Sequence, residues 1–227
     1  MKTLLFVISF SLTSIISFGQ NIIYDTIQYA KEYHQKRLAL FNSEPIIKSK
    51  IIFLGNSITE FGDWQKLLSD PSVINRGIAG DNTFGVLARL EDVNIRQPSK
   101  LFIKIGINDI SQNIPVEIIV KNILAIVERV RAKSPATKIY VHSILPTNDN
   151  VKNEYPEAFN KNDQVRLVNG QLSQKAKTNK FIYIDLDKEF KDKEGKLNVE
   201  YAESDGLHLN EVGYQTWIRL LKEKGYL

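Results

Sequence analysis

Five residues in four short polar segments have the types that acyl transfer needs. Ser57 follows the apolar run Ile51-Ile52-Phe53-Leu54 and Gly55. A serine hydroxyl is a poor nucleophile until an adjacent base takes its proton. The chain has three histidines, His34, His142 and His208, and only the last has a carboxylate close before it, in Asp205-Gly206-Leu207-His208. A carboxylate so placed can hold the far ring nitrogen and stabilise the imidazolium that forms. Acyl transfer also needs donors aimed at the developing oxyanion. Gly80, with no side chain, can bring a backbone N–H close, and the Asn108 amide can supply another.

Each of these residues also has a plainer reading. Ser57 could cap a turn or helix, Asp205 and His208 could form a surface turn before the last helix, Gly80 could merely permit a turn, and Asn108-Asp109 could cap a short helix. Asp109 is read as structural. His34, with nothing reactive beside it, and His142, inside an apolar run, are read as packing histidines.

The elements that carry these residues favour the chemical reading. Apolar, β-branched runs at Ile51 to Leu54, Val73 to Arg76, Leu101 to Ile105, Lys138 to Ile144 and Phe181 to Ile184 are expected strands. Helical spacing separates them. Expected helices cover Asn21 to Asn42, a short stretch within Phe61 to Ser69 capped by Asp63, and a run from Asn82 or Thr83 through Leu90. Others follow Pro115, span about Lys161 to Lys177, and close the chain from Asn210 to Lys224. Strands alternating with helices predict an α/β fold with a central parallel five-stranded sheet wound with helices on both faces. Ser57, Gly80 and Asn108 then fall just after the carboxyl ends of three strands, where open parallel sheets bind ligands. The long polar connection from Leu145 to Asn162 is expected to form a rim on the substrate side.

Composition narrows the partners. With 227 residues and no linker-like stretch, one domain is expected. The net charge of +4, from 30 basic against 26 acidic residues, lacks the clustered stripe that nucleic acid requires. Cysteine is absent, which excludes disulfides, thiolate nucleophiles and Cys-ligated metals. Met1-Lys2-Thr3 and the apolar stretch to Phe18 read as a signal peptide over residues 1–19, leaving an exported domain from about Gln20. Serines and a threonine dilute that stretch below what a membrane-spanning helix needs, so no stable membrane insertion is expected.

Taken together, Gly55-Asn56-Ser57-Ile58, Gly80-Asp81, Gly106-Ile107-Asn108-Asp109 and Asp205-Gly206-Leu207-His208 resemble, in order, the four blocks of the SGNH superfamily of GDSL-type esterases and lipases. The resemblance implies a three-layer α/β/α fold, Ser57 as nucleophile, His208 as base and Asp205 orienting it. It also implies an oxyanion hole from the Ser57 amide, Gly80 and Asn108, with neither metal nor cofactor. Asn56 stands where the family usually has aspartate, which changes local hydrogen bonding beside the nucleophile. The stretch Asn75 to Asp81 is similar to the branch of acetylhydrolases and carbohydrate O-acetylesterases. The expected substrate is therefore an acyl ester, acetyl on a small sugar or polysaccharide. The alternatives are a lysophospholipase or thioesterase for longer chains, and a non-catalytic glycan-binding module. A nucleotide-binding flavodoxin-like protein fits less well, because no Gly-rich phosphate loop follows the first strand. Oligomeric state is left open.

Overall fold

The computed structural model describes residues 31–227. The apolar runs form five strands, β1 Ile51–Gly55, β2 Ile74–Gly77, β3 Lys100–Lys104, β4 Lys138–His142 and β5 Ile182–Ile184. They lie in the order β2-β1-β3-β4-β5, and every pairing is parallel. This is the expected α/β class, with strand limits displaced by one or two residues. β4, for instance, stops at His142 and not Ile144: Ser143 still donates to Ile184 O of β5 at 2.8 Å, but the Ile144 N–H leaves the ladder for Asn169 Oδ1 at 2.8 Å.

The helices are α1 Lys31–Ser43, α2 Ser57–Glu60, α3 Trp64–Leu68, α4 Thr83–Ala88, α5 Leu90–Arg96, α6 Ile107–Ser111, α7 Val116–Lys133, α8 Val151–Glu154, α9 Asn162–Lys175, α10 Asp187–Phe190 and α11 Glu211–Glu223. Side chains alternate across the pleat, so Ile52 and Leu54 enter one core and Phe53 the other. The first core lies under α4, α5, α7 and α9, whose Val86, Val93, Ile123, Val127 and Val165 it contains. The second packs β1, β3 and β4 against α3 and α11. There the Phe53 ring stacks on Trp64 at 4.0 Å and on Phe102 at 4.8 Å, with Trp217 edge-on at 6.4 Å.

His142 is part of this packing, as expected. Its Nε2 accepts the Trp217 indole N–H at 3.1 Å and its Nδ1 donates to Ile103 O at 3.2 Å, which fixes the tautomer. Burial pulls its pKa down to about 3, so the ring is neutral.

Three expectations need correction. The helix expected over Asn21 to Asn42 is described only from Lys31, so Ile23, Ile27 and Ala30 lie outside the described residues. Its described part runs to Ser43, buries Phe41 and is tied to Glu60 by the polar side chains of Tyr33 and Arg37. The helix expected through Leu90 is two helices broken at Arg89. At that break the guanidinium turns inward and donates to Asp81 Oδ2 at 2.7 Å, Gly55 O at 2.9 Å and Arg76 O at 3.0 Å. The Leu145 to Asn162 connection, third, is folded inward over much of its length, although its Tyr155 reaches the substrate side as expected. Leu145, Thr147, Asn148 and Val151 are buried, and α8 and a 3₁₀ turn at Pro156–Ala158 occupy its middle.

Candidate active site

The sheet order changes direction at β1, which has β2 on one side and β3 on the other. Ligand crevices in open parallel sheets lie at this point, outside the carboxyl ends of the strands. Ser57 follows β1, the Gly80 loop follows β2, and Asn108 follows β3.

β1 passes into α2 through Asn56, whose Oδ1 accepts the Ile58 N–H at 3.2 Å. Helix capping needs only an acceptor oxygen, which asparagine provides as aspartate would. Ser57 is the first residue of α2, so its amide is among the N–H groups with no intrahelical acceptor. The end of β2 packs directly on this turn: a Cβ on Gly77 would lie 2.1 Å from Glu60 N.

His208 Nε2 lies 2.8 Å from Ser57 Oγ, and His208 Nδ1 lies 2.5 Å from Asp205 Oδ2. The other Asp205 oxygen accepts the backbone N–H groups of Leu207 and His208, both at 2.9 Å. Partial burial pushes the Asp205 carboxyl up, but these hydrogen bonds outweigh it and its pKa is lowered. Gly206, at φ 72°, makes the turn between the two residues, where a Cβ would meet Asn148 Oδ1 at 2.3 Å. Phe61 and Tyr155 flank the His208 ring, with centroids at 5.1 and 5.6 Å.

Asn108 begins α6 and donates one side-chain N–H to Asp81 O at 2.8 Å, which orients its amide beside the Gly80 loop. Asp109 is structural, as expected. Fully buried, it accepts the Thr83 backbone N–H at 3.1 Å and the Thr83 hydroxyl at 2.5 Å, fastening α6 to the start of α4. Burial raises its pKa to about 7 against those same bonds.

Ser57, His208, Gly80 and Asn108 line one cavity of about 330 Å³. Tyr33, Phe61, Ala79, Tyr155 and Leu207 complete its walls; Tyr155 comes from the Leu145 to Asn162 connection expected on the substrate side, whereas Tyr33, Phe61 and Ala79 were not assigned to the site. Phe61 adjoins the Ser57 motif and could have been found from that adjacency; Tyr33 arrives from a distant segment and gives no local signal. The asparagines of the Leu145 to Asn162 connection are not on these walls. Asn148 instead holds the Gly206 turn, its N–H donating to Gly206 O at 3.0 Å and its Nδ2 to Leu197 O at 3.2 Å. His34, read as a packing residue, lies with Nε2 3.7 Å from the buried Asp81 carboxylate. Clefts of about 410 Å³ under α1 and about 570 Å³ between α3 and α11 lack the serine–histidine pair. Among the described residues no group of three or more His, Asp or Glu side chains is placed to hold a metal ion.

A serine, an imidazole and a carboxylate in hydrogen-bonded series, facing one cavity with a glycine loop and an asparagine amide, define a relationship that comparison with known proteins resolves. Residues 53–216 match the GDSL-like Lipase/Acylhydrolase family. The chain belongs to this family. It is therefore a GDSL-type serine ester hydrolase with the SGNH fold. Human platelet-activating factor acetylhydrolase IB subunit alpha1 is 28% identical over 180 residues, covering 76% of this chain and 73% of that protein. Among solved structures, a candidate platelet activating factor from Streptococcus pneumonia superposes with a TM-score of 0.76 at 28% identity, covering 86% of this chain and 94% of that one. A GDSL-like lipase from Bacteroides thetaiotaomicron shares the fold at a TM-score of 0.73 and 23% identity, covering 86% and 98%.

Proposed function

We propose that this acylhydrolase is an exported esterase that removes acetyl groups from a carbohydrate through Ser57, His208 and Asp205. The observation that carries the mechanism is the unbroken hydrogen-bonded series from Ser57 Oγ through His208 to Asp205. Ser57 Oγ attacks the ester carbonyl while His208 Nε2 takes its proton, and Asp205 holds the Nδ1–H and the imidazolium. The Ser57 and Gly80 amides and the Asn108 side chain stabilise the oxyanion of the tetrahedral intermediate. His208 then returns the proton to the departing alkoxide, leaving an acyl-Ser57 ester. Water, deprotonated by the same imidazole, releases the acid.

The acetyl assignment draws on cavity size, since about 330 Å³ must hold the acyl group and the first atoms of the alcohol. It also draws on the acetylhydrolase name of the human relative. Phe61 is 55% exposed at the cavity wall, and Tyr33 is 42% exposed beside it. Such aromatic faces suit the C–H face of a sugar ring. Export rests on the charged and apolar pattern of Met1 to Phe18. The Asn-rich connection lends the sugar reading no support, because its asparagines are not on the cavity walls and Asn148 holds the turn at Gly206.

One observation favours a second reading. Tyr33, Phe61, Ala79, Tyr155 and Leu207 put mostly apolar surface around Ser57, which an enzyme for longer acyl chains would also need.

The wild type is expected to hydrolyse p-nitrophenyl acetate, and Ser57→Ala to lower turnover by about 10⁴-fold or more. An inactive wild type, or an active Ser57→Ala, overturns the mechanism. Acetylated xylo-oligosaccharides, lysophospholipids and acyl thioesters, assayed side by side, decide the substrate; faster turnover of the long-chain esters replaces the acetylesterase reading with the second one. Amino-terminal sequencing of the chain recovered outside the cytoplasm should begin near Gln20.

A further inference from the structure

Glu60 belongs to no motif, yet its carboxylate joins three parts of the site. It ends α2, three residues after Ser57, with a side chain only 8% exposed. One oxygen accepts the Ala79 backbone N–H at 2.5 Å. The other accepts the Tyr33 hydroxyl and pairs with Arg37 Nε at 3.1 Å, both from α1. Tyr33 and Ala79 are themselves walls of the catalytic cavity.

The bond to Ala79 bears on catalysis through the next residue. In the loop leaving β2, the Asp81 N–H donates to Ile78 O at 3.1 Å, and the Asp81 carboxylate is held by Arg89. The Ala79 N–H is held by Glu60. Gly80, at φ 78°, therefore lies between two tethered neighbours, and its amide direction follows from where those tethers hold the loop. An oxyanion donor contributes only when fixed near 3 Å from the developing charge, and glycine on its own fixes nothing. Glu60 shares a four-residue helix with Ser57, so the tether sets the Gly80 loop relative to the nucleophile itself.

We propose that Glu60 is a positioning residue for the reaction: it holds the Gly80 oxyanion donor in register with Ser57 and, through Tyr33, holds α1 as a wall of the substrate cavity. This rests on the serine-esterase reading above. The two arms separate by substitution. Loss of the Ala79 tether acts on the transition state and lowers kcat, whereas loss of the Tyr33 contact acts on binding and raises KM.

The test measures p-nitrophenyl acetate hydrolysis per active site, titrated with a fluorophosphonate so that misfolded molecules are not counted. Glu60→Ala should lower kcat by about 10- to 100-fold, part of the roughly 100- to 1000-fold cost of losing an oxyanion donor outright. Glu60→Gln keeps an oxygen for the Ala79 N–H and should recover kcat to within about threefold of wild type, because one neutral acceptor satisfies that donor. Tyr33→Phe should leave kcat within about twofold and raise KM. Glu60→Ala with wild-type kcat per titrated site overturns the proposal, and so does Glu60→Gln falling as far as Glu60→Ala. An inactive wild type would instead overturn the esterase reading, so the two failures are distinguishable.

Discussion

At the level of single residues, the hydrogen-bonded series from Ser57 to Asp205 depends on neighbours brought in from other segments, Tyr155 beside His208 and Glu60 beside Ala79. Ser57, Asp205 and His208 stand in short segments whose chemistry shows in the neighbouring letters, and the structure joins them at hydrogen-bond distance. Glu60 and Tyr33 were illegible because their significance lies in a contact between segments 27 residues apart, and no periodicity encodes such a contact. Asn56 is the reverse case: a departure from the family pattern visible in the sequence turns out to preserve the cap on Ile58. Asp205→Asn should reduce kcat by about 10³- to 10⁴-fold while KM changes little, since the imidazole loses the partner that fixes its tautomer. The same residue gives a pH test. Its pKa is lowered in the folded state, so its stabilising contribution is present above the unfolded carboxyl value and is lost as pH falls through the folded one. On acidification, the wild type should therefore lose melting temperature more steeply than Asp205→Asn, as read by circular dichroism.

At the level of elements, apolar runs located β1, β3, β4 and β5, because such runs ending in polar turns have few other uses in a chain of this kind, while β2, Ile-Asn-Arg-Gly, stood out less. It failed where polar contacts decide the conformation. The break at Arg89 answers to buried acceptors on Gly55 and Arg76, and the Leu145 to Asn162 connection is drawn inward to support the Gly206 turn. Close backbone approach was equally invisible. Gly77 carries no motif, yet its lack of a side chain lets β2 rest against the backbone of α2. Gly77→Ala should cost about 1–3 kcal/mol of stability, the usual range for an overpacked core, measured by urea unfolding. It should also depress esterase activity, because the clash displaces the turn bearing Ser57.

At the level of the whole molecule, two apolar cores on opposite faces of one sheet hold the domain together, and a lysine is buried in the second of them. Lys104 ends β3 on the α11 face, 3% exposed, with Nζ 6.0 Å from the centroid of a Trp217 ring. Burial lowers its pKa to about 7. The folded chain therefore binds fewer protons than the unfolded one between about pH 7 and the ordinary lysine value, and stability should rise with pH across that window. Lys104→Met should remove that slope, raising the melting temperature more at pH 7 than at pH 10, with each 1 kcal/mol gained worth about 2–4 °C. An equal effect at both pH values would show that Lys104 carries no such penalty.

The bond between Ser57 and His208 joins residues 151 positions apart, and its second half lies just before the terminal helix. On the proposed mechanism, the two halves of the reacting pair are therefore made far apart in time. A nascent chain then carries its proposed nucleophile 151 residues before its proposed base, which must still emerge and dock. Ester turnover consequently reports completed assembly, and a polypeptide cut short before Asp205 would carry the serine without the means to use it.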